Sequence, residues 1–277
     1  GGSDILGRAM GEGIEEVRDG VTVTVENRAG GSGVSGYSFL LQQQGDPHFL
    51  LPSETAGVAL PITVETPFEW SDFTQVAMIA EDATLGVVRD DSEWQDVPAV
   101  IEAAEGGQVR VGITGATSLD SVVTSLIERD QDVEFDRVVF DSGGELVAAL
   151  LGGDIDFAML NPSEVIGQLE AGDMRALAVF AEERYPEGEL SDLPTATEQG
   201  VDVSFTQYRG AFAAGGLTDD QAAYWEQTFL DWTETESYDE YVETNYLVPM
   251  VLDGDEFVDY LTEYQTTLEE VLADAEE

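Results

Sequence analysis

Between residues 108 and 180 the chain alternates apolar runs of strand length with segments of helical period, and this alternation narrows the possible folds more than any other feature. "QVRVGIT" (108–114), "RVVF" (137–140), "IDFAML" (155–160) and "MRALAVF" (174–180) read as strands. Between them lie helical patterns over 118–129, 144–152 and 162–171. Parallel strands need a crossover long enough to hold a helix, and each interval supplies one, so the block reads as β-α-β-α-β-α-β in an α/β layer architecture. The third helix announces its own start. In "NPSEVIGQLEAGD", Asn161 is placed to cap, Pro162 takes the first helical position, Glu164 follows three residues after the cap, and Gly172 ends the run.

Outside this block, "VTVTVEN" (21–27), "HFLLPS" (48–53) and "FTQVAMIAE" (73–81) read as further strands. "TDDQAAYWEQTFLDWTET" reads as a helix capped by Thr218, with Ala222, Trp225, Phe229 and Trp232 as its buried stripe. The character of the sequence changes around 89–98 and again around 204–216. Two such crossings divide the 277 residues into a discontinuous first lobe (1–90 with 208–277) and a second lobe (91–207). Each lobe is expected to be a mostly parallel sheet flanked by helices, with a cleft between the lobes suited to a small ligand.

Charge excludes one large class of partner. There are 58 acidic residues against 10 basic ones, all arginine, and the formal net charge is −48. A phosphate backbone would be repelled over most of such a surface, so no nucleic-acid partner is expected. Self-repulsion on this scale is relieved where the screening length falls to about 3 Å, near 1 M salt, so the composition reads as that of a halophile's protein that is more stable in molar salt. No apolar run is long enough to cross a bilayer, and no basic segment leads into a signal-like core. The chain opens on "GGSD" rather than Met and runs at once into a helical pattern, from which residues are expected to have been removed in front.

With no cysteine and a single histidine, His48 in "GDPHFL", the chain offers neither a zinc cluster nor a Ser-His-acid triad; His48 reads as a surface turn residue. "DGDE" (253–256) is too short for a calcium loop, and no nucleophile elbow, zinc-protease motif or phosphate-binding loop occurs. No metal or cofactor is expected, and no enzymatic activity. One motif argues otherwise: Gly31, Gly33 and Gly36 form G-x-G-x-x-G after a strand-like run, with Glu54 18 residues further on. The alternative function it would support is an NAD-binding oxidoreductase of Rossmann type. Against it, "RAG" separates the run from the glycines, and no His, Lys or Cys is placed for hydride-transfer chemistry.

Four segments place small or hydroxyl residues just ahead of helix starts: "GGSD" (1–4), "TGATS" (114–118), "DSGGE" (141–145) and "NPSE" (161–164). A helix start presents unpaired N–H groups and the positive end of the peptide dipoles, which is a way to hold an anion in a chain without lysine. Arg209 in "QYRGAF" adds a planar cation at the second crossing.

The chain resembles, over essentially its whole length, the extracytoplasmic solute receptors of tripartite tricarboxylate transporters, the TctC or Bug family. The segments that carry the resemblance are "GGSDILGRAM", "VTVENRAGGSGVSGYSFL", "GDPHFLLPSE", "VRVGITGATS", the run from "ALLGG" through "LPTATEQGVDV", and "QYRGAFAAGGLTDDQAAYWE". The resemblance implies a two-lobed, type II periplasmic-binding-protein-like fold. It also implies capture of a small organic carboxylate, di- or tricarboxylate, and delivery to the membrane permease subunits by an extracytoplasmic monomer, periplasmic or lipid-anchored. In that family a strand precedes the "GGSD" turn, and "ENRAGGSGVSG" is a strand and turn with no nucleotide. Carried over residue by residue, the ligand site implied is Gly1, Gly2, Ser3, Asp4, Ser53 and Glu54 in the first lobe. The second lobe adds Thr114, Gly115, Thr117, Ser118, Ser142, Gly143 and Asn161, and the crossing adds Tyr208 and Arg209. Tyr208 stands where Trp is frequent in the family, and the 114–118 loop departs from the usual Ser/Gly-rich one. A sensory receptor signalling to a membrane kinase would use the same architecture.

Overall fold

A computed structural model describes residues 2–28, 30–107, 109–115, 118–140, 142–185 and 188–273. In chain order the elements are α1 (Gly2–Val17), α2 (Val34–Leu41), β1 (Leu50–Ser53), α3 (Ala56–Thr63), β2 (Thr74–Asp82) and β3 (Leu85–Arg89). Then come α4 (Val97–Glu105), β4 (Arg110–Ile113), α5 (Leu119–Gln131), β5 (Asp136–Val139), α6 (Gly143–Gly152), β6 (Phe157–Leu160), α7 (Pro162–Ala171) and β7 (Met174–Val179). The chain closes with β8 (Gln207–Ala213), α8 (Asp219–Trp232), α9 (Glu236–Thr244), β9 (Val248–Leu252) and α10 (Gly254–Ala273). Two compact units result. Unit 1 comprises Gly1–Glu81 with Gln207–Glu270, and unit 2 comprises Asp82–Thr206 with Val271–Glu277.

Unit 1 is built on a four-stranded sheet of order β1-β8-β2-β9. β1 runs antiparallel to β8, with Ser53 opposite Gly210, and β2 runs antiparallel to β9. The expectation of a mostly parallel sheet is therefore corrected for this unit. The reason is topological: its partner strands come from distant parts of the chain and are not joined by short crossover helices. Both edge strands carry a proline, Pro52 in β1 and Pro249 in β9, where a missing N–H costs no internal ladder bond. Leu6, Met10 and Ile14 repeat every fourth residue along α1 and pack into one core with Phe229 and Trp232 of α8. Gly13 lets that approach happen, since a Cβ there would overlap the Trp232 indole.

Residues 21–27 form no strand among the described pairings. Val21, Val23 and Val25 alternate inward, and Val21 and Val23 pack against the α1–α8 core. The Val23 N–H donates to the Glu15 carboxylate at 2.7 Å rather than to a ladder partner. Alternation here reports one covered face and not a sheet. The Rossmann reading loses its context with it, because Gly31–Gly33 is a 3₁₀ turn leading into α2 with no paired strand in front.

Unit 2 holds a five-stranded sheet of order β5-β4-β6-β3-β7. β4 is parallel to β5 and to β6, as the alternation predicts, whereas β3 enters antiparallel between β6 and β7. Sequence reading lacked β3, because "LGVVR" follows β2 after only Ala83 and Thr84 and reads as its tail. β6 is buried along its whole length, which suits the apolar run Phe157–Leu160. Helix boundaries follow their caps. Ser142 accepts from the Glu145 N–H, Asn161 and Glu164 form a capping box with Pro162 at the first position, and Gly172 closes α7 in the left-handed conformation.

Candidate functional site

Unit 1 brings Ser3, Ser53, Glu54, Tyr208 and Arg209 together from three separate segments. β1 ends at Ser53, so Glu54 and Thr55 fall on the turn into α3, opposite Tyr208 and Arg209 on β8. Glu54 and Arg209 form an ion pair, and the Ser3 hydroxyl donates to the other Glu54 oxygen at 2.7 Å. Ser53 and Tyr208 are fully buried and their hydroxyls bond each other at 2.8 Å. Tyr208 is wedged edge-on against Phe257, Tyr260 and Tyr264, so it is a positioning residue inside the unit and not a surface group. Burial holds its hydroxyl well above the ordinary tyrosine range.

The remaining first-lobe candidates divide. Asp4 points elsewhere, accepting from Arg8 at 3.0 and 3.1 Å and from Asn27 at 2.6 Å, contacts that lower its pKa. Gly2 opens α1, and Gly1 lies outside the described residues. Two participants escaped the sequence reading. Thr55 bonds the Tyr264 hydroxyl at 2.6 Å, and the buried Tyr37 hydroxyl near Ser53 and Glu54 has no hydrogen-bond partner. Tyr37 follows Gly36 of the glycine motif directly, and that position was its only signal.

In unit 2 the helix starts were expected to present unpaired donors, and the structure brings the chain's own carboxylates close to them. At α5, Thr114 donates to Asp120 through both its N–H and its hydroxyl, and the single Ser118 hydroxyl proton has the same carboxylate and the Gly115 carbonyl within reach as alternative acceptors. At α6, the Glu164 side chain lies against Gly143 so closely that a Cβ would land on its carboxylate. At α7, Glu164 accepts from the Asn161 N–H at 3.3 Å, and the Asn161 amide donates to Asp82 at 2.7 Å. Partial desolvation, with Asp82 and Asp120 close by, pushes the Glu164 carboxyl up, against the lowering effect of the Asn161 N–H. A chain this acidic sets carboxylates beside its helix starts, where the positive end of the peptide dipoles favours them. Thr117 lies outside the described residues, and Ser142 remains exposed at the mouth of α6.

Among the described residues no three acidic or histidine side chains converge to hold a metal ion. No described helix is long and apolar enough to cross a membrane. His48 is exposed and bonded to Asp46 at 2.8 Å, a turn contact as its sequence setting suggests.

The sequence profile of the tripartite tricarboxylate transporter family receptor (TctC) matches residues 6–269. The protein BugT of Bordetella pertussis is 24% identical over 206 residues, 72% of this chain and 62% of its own length. A protein from the tcbD-tcbE intergenic region of Pseudomonas sp. is 26% identical over 70% of this chain and 57% of its own, so the chain spans about three fifths of these relatives. Among solved structures, a TctC solute-binding protein from Polaromonas matches with a TM-score of 0.87 at 22% identity, covering 99% of this chain and 94% of that one. An adipate-bound protein of R. palustris matches at 0.82, with 22% identity over 97% and 91% of the two chains. Malate-bound MatC from Rhodopseudomonas palustris matches at 0.77, with 20% identity over 98% and 94%.

Proposed function

The chain belongs to the tripartite tricarboxylate transporter receptor family, and from that premise we propose that it is an extracytoplasmic receptor for a small organic carboxylate. It hands its ligand to membrane permease subunits, performs no chemistry on it, and works in high salt. The observation that carries this reading is the family match along residues 6–269; the adipate and malate held by two structural neighbours support the ligand class. In unit 1, Ser3 offers a hydroxyl and Arg209 a guanidinium at the end of β1, both held in place by the Glu54 carboxylate. In unit 2, Thr114, Gly115, Ser118, Ser142, Gly143 and Asn161 offer hydroxyls and amides at helix starts, where an incoming carboxylate gains from the peptide dipoles. The division into lobes expected from sequence, 1–90 with 208–277 against 91–207, is retained in this proposal.

Titration calorimetry with C4 to C6 carboxylates in molar salt tests the reading. Binding should be measurable, and Ser118→Ala should weaken it by about 1–3 kcal/mol, the scale of a charge-assisted hydrogen bond. An unchanged constant removes Ser118 from the site. A chain that binds none of these acids is not such a receptor.

A further inference from the structure

Unit 2 has a cavity of about 260 Å³ where β4 and β6 begin, at the end of the sheet away from the helix starts described above. Its wall includes Arg89, Glu93, Trp94, Arg110, Ile155 and Asp156. Basic residues number only 10 in the chain, so two of them in one wall is a concentration. Both are bonded in the same way. Arg89 gives its Nε and Nη2 to Asp91 at 2.9 and 3.2 Å, and Arg110 gives its Nε and Nη2 to Asp156 at 2.9 and 2.7 Å. Each guanidinium thus keeps its Nη1 without a hydrogen-bond partner among the described residues. The two meet at Gly153: its carbonyl accepts from Arg110 Nη2 at 2.9 Å, and a Cβ on it would stand 2.8 Å from Arg89 Nη1.

A third arginine fixes part of the wall. Arg175 donates to the backbone carbonyls of Asp90, Ser92 and Trp94 at 3.0, 2.9 and 3.0 Å, so the segment carrying Glu93 and Trp94 is held before any ligand arrives. Arg89 and Arg110 remain 40% and 39% exposed, which leaves them reachable by a solute. In formal charge the two guanidiniums of the wall balance Glu93 and Asp156, whereas the chain as a whole carries −48. Asp136 and Asp154 act on Arg110 from outside the wall, and their reach shortens where molar salt cuts the screening length to about 3 Å. A cation entering here finds Asp91 and Asp156 already bonded to arginine. An oxyanion finds open N–H donors on two guanidiniums, a geometry that suits oxygen acceptors.

We propose that this cavity is a second binding site, for a small oxyanion held between Nη1 of Arg89 and Nη1 of Arg110, with Trp94 and Ile155 as the apolar part of its wall. It is separate from the carboxylate site proposed above and does not depend on it.

Sulfate titrated calorimetrically in molar sodium chloride tests it, and a selenate soak of crystals grown without other oxyanions places the anion. Saturable sulfate binding is expected, with selenium between Arg89 and Arg110. Arg110→Gln should weaken sulfate binding at least fivefold. Should that variant fail to fold, as judged by its melting transition, Arg89→Gln carries the same expectation, because its ion-pair partner Asp91 is exposed. Ser118→Ala should leave the sulfate constant unchanged, and Arg89→Gln should leave the affinity for C4 to C6 carboxylates unchanged. Absence of saturable binding, or selenium found only elsewhere, overturns the site. A sulfate constant indifferent to Arg89→Gln overturns the assignment to these arginines, and one lowered by Ser118→Ala puts the anion at the start of α5 instead. Loss of C4 to C6 binding in Arg89→Gln would merge the two sites and overturn their separation.

Discussion

The two units solve the same local problem, a strand end feeding a helix start, with opposite outcomes. In unit 1 the side chains at the end of β1 bond one another, Glu54 with Arg209 and Ser3, Ser53 with Tyr208, Thr55 with Tyr264, and only the buried Tyr37 hydroxyl beside them has no partner among the described residues. In unit 2 three carboxylates crowd the starts of α5, α6 and α7, and the buried hydroxyls of Tyr185 and Thr84 have no partner among the described residues. Closed networks hold a fold in one arrangement, whereas a buried hydroxyl without a partner specifies it less firmly.

The comparison breaks most easily at the ion pair. Arg209→Ala leaves the Glu54 carboxylate without its counter-charge, and both side chains are largely buried, 11% and 20% exposed. We expect a loss of about 2–3 kcal/mol in chemical denaturation, somewhat below the figure for a fully buried pair. A loss under about 0.5 kcal/mol would mean the pair behaves as a solvent contact and unit 1 is not the closed network described.

Next come two tyrosines. Tyr208→Phe orphans the buried Ser53 hydroxyl and should cost about 1–3 kcal/mol, whereas Tyr185→Phe removes a hydroxyl that bonds nothing and should lie within about 0.5 kcal/mol of zero. Equal costs for the two would erase the contrast between the units.

The smallest effect is with pH. The folded Glu164 carboxyl is raised above its ordinary 4.5, so the folded state holds that proton more firmly than the unfolded chain does. Its contribution to stability is therefore present at low pH and declines as pH rises from about 4.5 through the raised folded value. Melting temperatures taken across that interval should fall less steeply for Glu164→Gln than for the parent chain. Parallel curves would show that the carboxyl is not held in the protonated direction.

Local rules in the sequence carried most of the fold. The capping box at Asn161 and Glu164, the Ser142 and Thr218 caps and the apolar run of β6 depend on neighbours in the chain, and each is found where the pattern puts it. What the pattern missed depends on distant partners. The valine alternation at 21–27 could not say whether a ladder or a helix face would cover it, and β3 was hidden because its ladder partners, β6 and β7, lie far along the chain. The candidate site behaved likewise. Glycines and hydroxyls at helix starts were legible, but the approach of Asp120, Glu164 and Asp82 to them was not, because that is a property of packing.

The antiparallel union of β1 with β8 joins residues 155 positions apart at Ser53 and Tyr208. During synthesis, nearly all of unit 2 emerges before β8 exists, so it can finish folding while the first 81 residues still wait for their partner strands. Until Arg209 leaves the ribosome, Glu54 has no guanidinium to meet. The amino-terminal third of this protein is thus obliged to spend the longest time as an unassembled polyanion, and the ions of the medium must hold it apart from itself until the chain is complete.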